Sequence, residues 1–108
     1  QRFLGLMYRD GRGVPRNPEE AVHWLGLAAN QGDSQAQYEI GVSYHQGIGT
    51  RADAPTAYVW LSLAIDRLTG DARLRAAQAR DLVASSLSVA ERAEGDRQAL
   101  EWEPVFER

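Results

Sequence analysis

Thirty-six residues separate Gly5 from Gly41, and the same step carries Tyr8 onto Tyr44, Gly11 onto Gly47 and Gly13 onto Gly49. It also pairs Ala21 with Ala57, Trp24 with Trp60, Leu25 with Leu61, Leu27 with Leu63 and Ala28 with Ala64. A single register that aligns two tryptophans and two Gly-x-Gly turns is not coincidence. A period of this length marks a structural unit that buries its apolar face against a copy of itself. Within each period the apolar residues keep helical spacing: Ala21, Trp24, Leu25 and Ala28 stand at i, i+3, i+4 and i+7, as do Ala57, Trp60, Leu61 and Ala64. Each period therefore contains a helix with one buried stripe, and Trp24 and Trp60 are expected in the core.

The ends of these helices are also written locally. Asn17-Pro18-Glu19-Glu20 supplies an N-cap, a first-turn proline and a glutamate three residues beyond the cap, and Asp53 with Pro55 marks the equivalent start. A preceding helix is expected from before Leu4 to about Asp10, and again from about Ser34 to about Gln46. Gly11-Arg12-Gly13 and Gly47-Ile48-Gly49 end them as tight turns. Gly5 and Gly41 are expected to let paired helices approach closely. Each unit is thus a helix, a turn and an antiparallel helix, and the fold class is all-α.

The pattern weakens after Gly70. Arg80 stands where a tyrosine is due, and Val83 and Ser85 replace the turn glycines. Asp71 to about Ser86 still reads as a helix, with Ala72, Ala76 and Ala77 at its small-residue positions. A last helix is expected from Ser88, which forms a capping-box pattern with Glu91, to about Trp102. Gly95 is expected to weaken this helix by about 1 kcal/mol relative to alanine. Its polar positions Glu94, Arg97, Gln98 and Glu101 suit a terminal cap facing water. The expected organisation is one domain over 1–108, with repeats over 1–33 and 34–69 and a degenerate unit over 70–108.

Leu4-Gly5-x-x-Tyr8-x-x-Gly11-x-Gly13-Val14, followed by Ala21-x-x-Trp24-Leu25-x-x-Ala28-Ala29-x-x-Gly32, returns as Ile40-Gly41-x-x-Tyr44-x-x-Gly47-x-Gly49 and Ala57-x-x-Trp60-x-x-x-Ala64. This pattern, over roughly residues 1 to 70, resembles the Sel-one-like repeats, a subclass of the tetratricopeptide-like solenoids. The resemblance implies a right-handed superhelix of antiparallel helix pairs whose concave face comes from the first helix of each pair. Carried over residue by residue, it nominates Arg2, Leu6 and Arg9, then Tyr38, Val42 and His45, and by the same spacing Leu74, Gln78 and Asp81 as a partner-binding row. Gly5, Tyr8, Trp24, Gly41, Tyr44 and Trp60 form the implied structural core.

Composition narrows the function. All 12 basic residues are arginine, scattered among 15 carboxylates for a net charge of −3, which disfavours a nucleic-acid surface. Arg73, Arg75 and Arg80 share a helix with Asp71 and Asp81, which reads as a solvated face or, more sharply, a contact for an acidic peptide. The stretch from Ala57 to Ile65 is interrupted by Ser62 and falls short of the roughly 20 apolar residues of a membrane span. There is no cysteine. The compartment stays open between cytoplasm and periplasm. Gln1 follows neither an initiator methionine nor a leader, so the chain reads as part of a longer one.

No residue pattern demands catalysis, metal or cofactor. The Gly-x-Gly turns lack the third glycine or Lys-Ser/Thr of a phosphate loop. Glu19 and His23 could form half a metal site, but His45 stands alone, and no Gly-x-Ser-x-Gly elbow occurs. The expected function is a non-catalytic scaffold or adaptor for a protein or peptide. The resemblance implies such roles in signalling and complex assembly, commonly at the bacterial envelope. A glycan- or peptidoglycan-associated role and a regulatory repeat domain of a larger enzyme are the alternatives. Phe3 and Leu6, if exposed, could pair two copies.

Overall fold

A computed structural model describes residues 1–105, which form six helices and no strand: α1 Arg2–Asp10, α2 Pro18–Asn30, α3 Ser34–Gln46, α4 Ala54–Arg67, α5 Gly70–Ala84 and α6 Val89–Glu101. The caps explain the starts. Asn17 Oδ1 accepts from the Glu20 amide at 3.2 Å, Asp33 Oδ1 from Ala36 at 3.1 Å and Asp53 Oδ1 from Thr56 at 3.1 Å. Each satisfies an amide that the first helical turn leaves unpaired. Ser88 and Glu91 close a reciprocal capping box on α6.

The two repeats share their turn chemistry. Gly11 and Gly47 end α1 and α3 at φ 72° and 71°, in the left-handed region that glycine adopts most readily. The Asn17 amide then donates to the Tyr8 carbonyl, and the Asp53 amide to the Tyr44 carbonyl, both at 2.9 Å. These bonds return the chain antiparallel, so α1 pairs with α2 and α3 with α4, while α2 packs on α3 and α4 on α5. The result is a solenoid of stacked helices.

Close packing depends on small residues. Ala21, Leu25, Ala28, Ala29, Ala36 and Ile40 form the first core, and Ala57, Tyr58, Leu61 and Val83 the second, extended by Ala64, Ile65 and Ala76. Gly5 sits against Leu25 as Gly41 sits against Leu61, so that an added Cβ would lie 2.7 Å and 2.8 Å from the respective Cγ atoms. Burying Leu25 and Leu61 fully contributes about 1.5–3 kcal/mol each. Tyr8, Tyr44 and Trp60 are half-buried and pack on the edge of the first core.

Trp24 departs from the expected core position. It is half-buried and outside the cores, its Nε1 donates to Glu20 Oε2 at 3.2 Å, and its ring stands edge-on to His23. The periodic stripe places Trp24 on α2, but the stripe is wider than the buried cores, and the indole lies outside them. Its counterpart Trp60 packs on the first core, to which Ala36 and Ile40 of its own repeat contribute, with Trp102 edge-on to it at 6.2 Å.

The third unit does not close as a hairpin. α5 packs on α4 as the first helix of a repeat would, but α6 packs chiefly on α4 as well, rather than on α5. Gly95, read from sequence as a weak point, is the buried residue of α6. A Cβ there would lie 2.5 Å from the Tyr58 ring, so glycine is what allows α6 to lie so close to α4. Next to it Tyr58 Oη donates to Asp96 Oδ1 at 2.6 Å, and beyond it the Val105 amide donates to the Asn30 carbonyl. α6 thus covers the side of α4 and leaves the far face of α5 open, with Leu74 57% and Leu82 65% exposed. On its outer face Arg97 bridges Glu94 and Glu101, and the hydrogen bonds from Arg97 and Gln98 hold the Glu94 carboxyl down to about 2.

The Tyr58–Asp96 contact makes the α6 dock sensitive to alkali. Burial first, and the bond to Asp96 second, push the Tyr58 hydroxyl above its ordinary value of 10. A raised folded-state pKa means that its stabilisation is complete below the unfolded value and is lost as pH rises through the folded one. Raising pH through and above the tyrosine range is expected to release α6 before the repeats unfold, seen as a Trp102 fluorescence change that Tyr58→Phe removes. That variant is expected to cost about 1 kcal/mol at neutral pH. An alkaline transition unchanged by the substitution would exclude this contact as the cause.

Candidate functional site

The nominated row runs along the first helices α1, α3 and α5, and its character changes from end to end. In α1 its cations are already engaged. Arg2 Nη1 lies 3.2 Å from Asp33 Oδ1, while Arg9 bonds to Asp10 at 2.9 Å and also to Glu39. Asp10 first, and then the charge of Glu39, hold the Arg9 guanidinium above its usual pKa against the opposing effect of partial burial. These pairs span 31 and 30 residues and tie α1 to the start and middle of α3. Gln35 adds a donor to Glu39 at 3.1 Å. Asp33, Gln35 and Glu39 therefore belong to this surface. Sequence reasoning missed them because ion pairs between helices depend on how the helices pack, not on local spacing.

Leu6 is half-buried against the first core, so the expected exposed pairing surface of Phe3 and Leu6 reduces to Phe3, which is 72% exposed beneath the Arg2 guanidinium. In α3, Tyr38 is half-buried and packs on the second core and its extension, Val42 is half-buried and His45 is exposed. Tyr38 therefore supports the α4–α5 junction as well as lining the row. In α5, Leu74, Gln78 and Asp81 are all exposed. Gln78, Asp81, Leu82 and Ser85 line one shallow depression there. Two exposed leucines among polar groups make this the part of the row where a partner could bury the most apolar area.

The remaining nominations are dispersed. Glu19 and His23 are exposed, and among the described residues no three His, Asp or Glu side chains converge as a metal site would require. No helix of the described residues is long and apolar enough to cross a membrane.

A stack of antiparallel helix pairs built on a 36-residue unit defines the class as a helical-repeat solenoid. The Sel1 repeat model matches residues 1–33 and 34–67, and the chain belongs to that family. Among solved structures it is similar to c5321, a protective antigen of uropathogenic Escherichia coli with an SLR fold. The TM-score is 0.83 at 26% identity, over 94% of this chain and 21% of that one. Among curated proteins it is 45% identical over 47 residues to chitin synthase regulatory factor 3 of Schizosaccharomyces pombe, covering 44% of this chain and 5% of that protein. It is 40% identical over 63 residues to the alginate biosynthesis protein AlgK of Azotobacter vinelandii, covering 58% and 14%. It is also 35% identical over 51 residues to mouse DAP3-binding cell death enhancer 1, covering 47% and 10%. The chain thus spans a small part of the length of these relatives.

Proposed function

We propose that this chain is a non-catalytic adaptor module that holds a protein or peptide along the row formed by α1, α3 and α5. The observation that carries this reading is the bare face of α5, where Leu74, Gln78 and Asp81 stand exposed because α6 docks on α4 instead. Sel1-repeat proteins generally serve as interaction scaffolds, and a relative named for binding DAP3 supports the same class of role. The row divides its labour: Arg2 and Arg9 brace the stack through ion pairs, while His45, Leu74, Gln78 and Asp81 provide the contact surface.

Leu74→Asp is expected to weaken partner capture by about ten-fold or more, the usual consequence of removing an apolar anchor, with little change in thermal stability because the side chain is exposed. The test is a pull-down with the wild-type chain and this variant as baits, followed by direct titration of the retained protein. Equal affinity would overturn the assignment of α5.

A second reading is favoured by the relatives named for chitin synthase regulation and alginate biosynthesis. In it, the partner is a component of a polysaccharide-synthesising assembly and the chain is its regulatory repeat module. Recovery of such a component by wild type and not by Leu74→Asp would select it.

A further inference from the structure

After α6 the chain leaves helical conformation and runs back over the stack. Trp102 has φ −66° and ψ 139°, and Pro104 fixes its own φ while turning Glu103 away from the helical region. Burial alternates as it does along extended backbone: Trp102 and Pro104 are half-buried, whereas Glu103 and Val105 are exposed. The segment is a strap with one inward edge, on which a tryptophan stands two residues before a proline.

The seat beneath it is built from both repeats. The Trp102 ring stands edge-on to Trp60 of α4 at 6.2 Å, and the indole walls a cleft with Leu63 and Arg67 of the same helix. Pro104 lies over the α2–α3 turn, where a Cβ on Gly32 would be 3.8 Å from Pro104 Cβ. Val105 then donates its amide to the Asn30 carbonyl at 2.6 Å.

That acceptor is set by the end of α2. A helix leaves its last four carbonyls without partners of its own. Those of Leu27 and Ala28 accept from the Gln31 amide, and that of Ala29 accepts from the Gly32 amide. The Ala29 carbonyl also accepts at 3.2 Å from Nε2 of the buried Gln37, whose Oε1 has no partner among the described residues. The Asn30 carbonyl is the fourth, and the strap supplies its donor. Arg67 Nη1, donating to the Gly32 carbonyl at 3.1 Å, holds the turn from α4. One period on, Leu68 stands where Gly32 does, and the bare turn is not repeated there.

A backbone acceptor, a tryptophan edge and a bare glycine turn are the parts of a peptide groove, in which main-chain bonding holds a segment and side-chain seats select it. We propose that this seat is a docking site for an extended Trp-x-Pro segment. The chain fills it with its own residues 102–105, and a partner protein's segment of the same pattern displaces them. The hold is light, since one backbone bond and two half-buried side chains oppose the ordering of the strap. The site uses none of the residues of the α1–α3–α5 row and does not depend on that row binding anything.

The test uses the 108-residue chain, as wild type and as Trp102→Ala, titrated with the capped peptide Glu-Trp-Glu-Pro-Val and followed by nuclear magnetic resonance. Trp102→Ala empties the tryptophan seat, and the peptide is expected to give saturable shifts of the Trp60 indole N–H and the Gly32 amide. Wild type is expected to bind about ten-fold more weakly, because its tethered strap competes at high effective concentration. The same peptide with alanine for tryptophan is expected to give no saturable shift. Val105→Pro, at an exposed position, removes the strap's amide donor without touching a core. It too is expected to bind the peptide more tightly than wild type, and it carries the test if Trp102→Ala loses its fold. No saturable binding by a folded variant, equal affinities of variant and wild type, or an equal response to the alanine peptide would each overturn the proposal.

Discussion

Alanine at position 49 is expected to lower the unfolding free energy by about 2–5 kcal/mol, whereas alanine at position 13 costs only about 1–2 kcal/mol. The two glycines occupy the same place in successive repeats and have almost the same backbone, φ 78° and 76°. Both substitutions therefore incur the left-handed penalty of an L-residue. Their surroundings differ. A Cβ at Gly49 would lie 2.3 Å from the Pro18 carbonyl oxygen and 2.9 Å from Val22 Cγ2, at the start of the preceding repeat's second helix. Backbone cannot rotate away, so the turn must lift from α2 and open the seam between repeats. At Gly13 a Cβ would meet only Met7 Cε, at 3.6 Å. Urea denaturation followed by circular dichroism measures both. Equal losses would mean that the interlock between the second turn and α2 contributes nothing beyond backbone strain.

Leu61→Ala is expected to cost about 2–5 kcal/mol, a large share of the roughly 5–15 kcal/mol by which a domain of this kind is stable. Leu61 has no exposed surface, and its side chain fills the space between α3 and α4 against Gly41. Because α3 already approaches at glycine distance, the helices cannot close further to fill the void. A Gly41→Ala substitution added to Leu61→Ala puts a methyl group into that space, and the pair is expected to be less destabilised than the sum of the single changes by about 0.5–3 kcal/mol. Thermal unfolding of the four variants of this cycle gives the answer. Strict additivity would show that Gly41 and Leu61 do not share the contact.

These expectations separate stability from recognition. Residues that hold the stack lie where α2 meets α3 and α3 meets α4. The proposed contact residues on α5 lie on a face that α6 leaves uncovered. The braced arginines fall between the two: Arg9 was nominated for a partner, but its bonds to Asp10 and Glu39 make it part of the frame.

Much of the architecture was legible in local patterns. Asn17, Asp53 and Ser88 cap helices through backbone amides three residues away, and Gly11 and Gly47 end helices within their own turn, so nearest-neighbour chemistry suffices to read them. The 36-residue step extended that reading to the pairing of α1 with α2 and of α3 with α4. The site was less legible. Gln37 has no sequence signature that separates a buried, half-satisfied amide from a surface glutamine. Trp24 and Trp60 are indistinguishable in the periodic stripe, although Trp60 packs on the first core and meets Trp102 while Trp24 lies outside the cores.

By itself the sequence determined the helices, their caps and turns, and the repeat that stacks them, because each of these rests on interactions within a few residues or on an internal copy in one register. Only the tertiary structure decided where α6 docks. Its seat depends on Gly95 meeting the Tyr58 ring and on the bond from Tyr58 to Asp96 across 38 positions. Where the repeat decays there is no copy to read from, and shape complementarity between distant side chains decides which face of α4 is covered and which face of α5 is left for a partner.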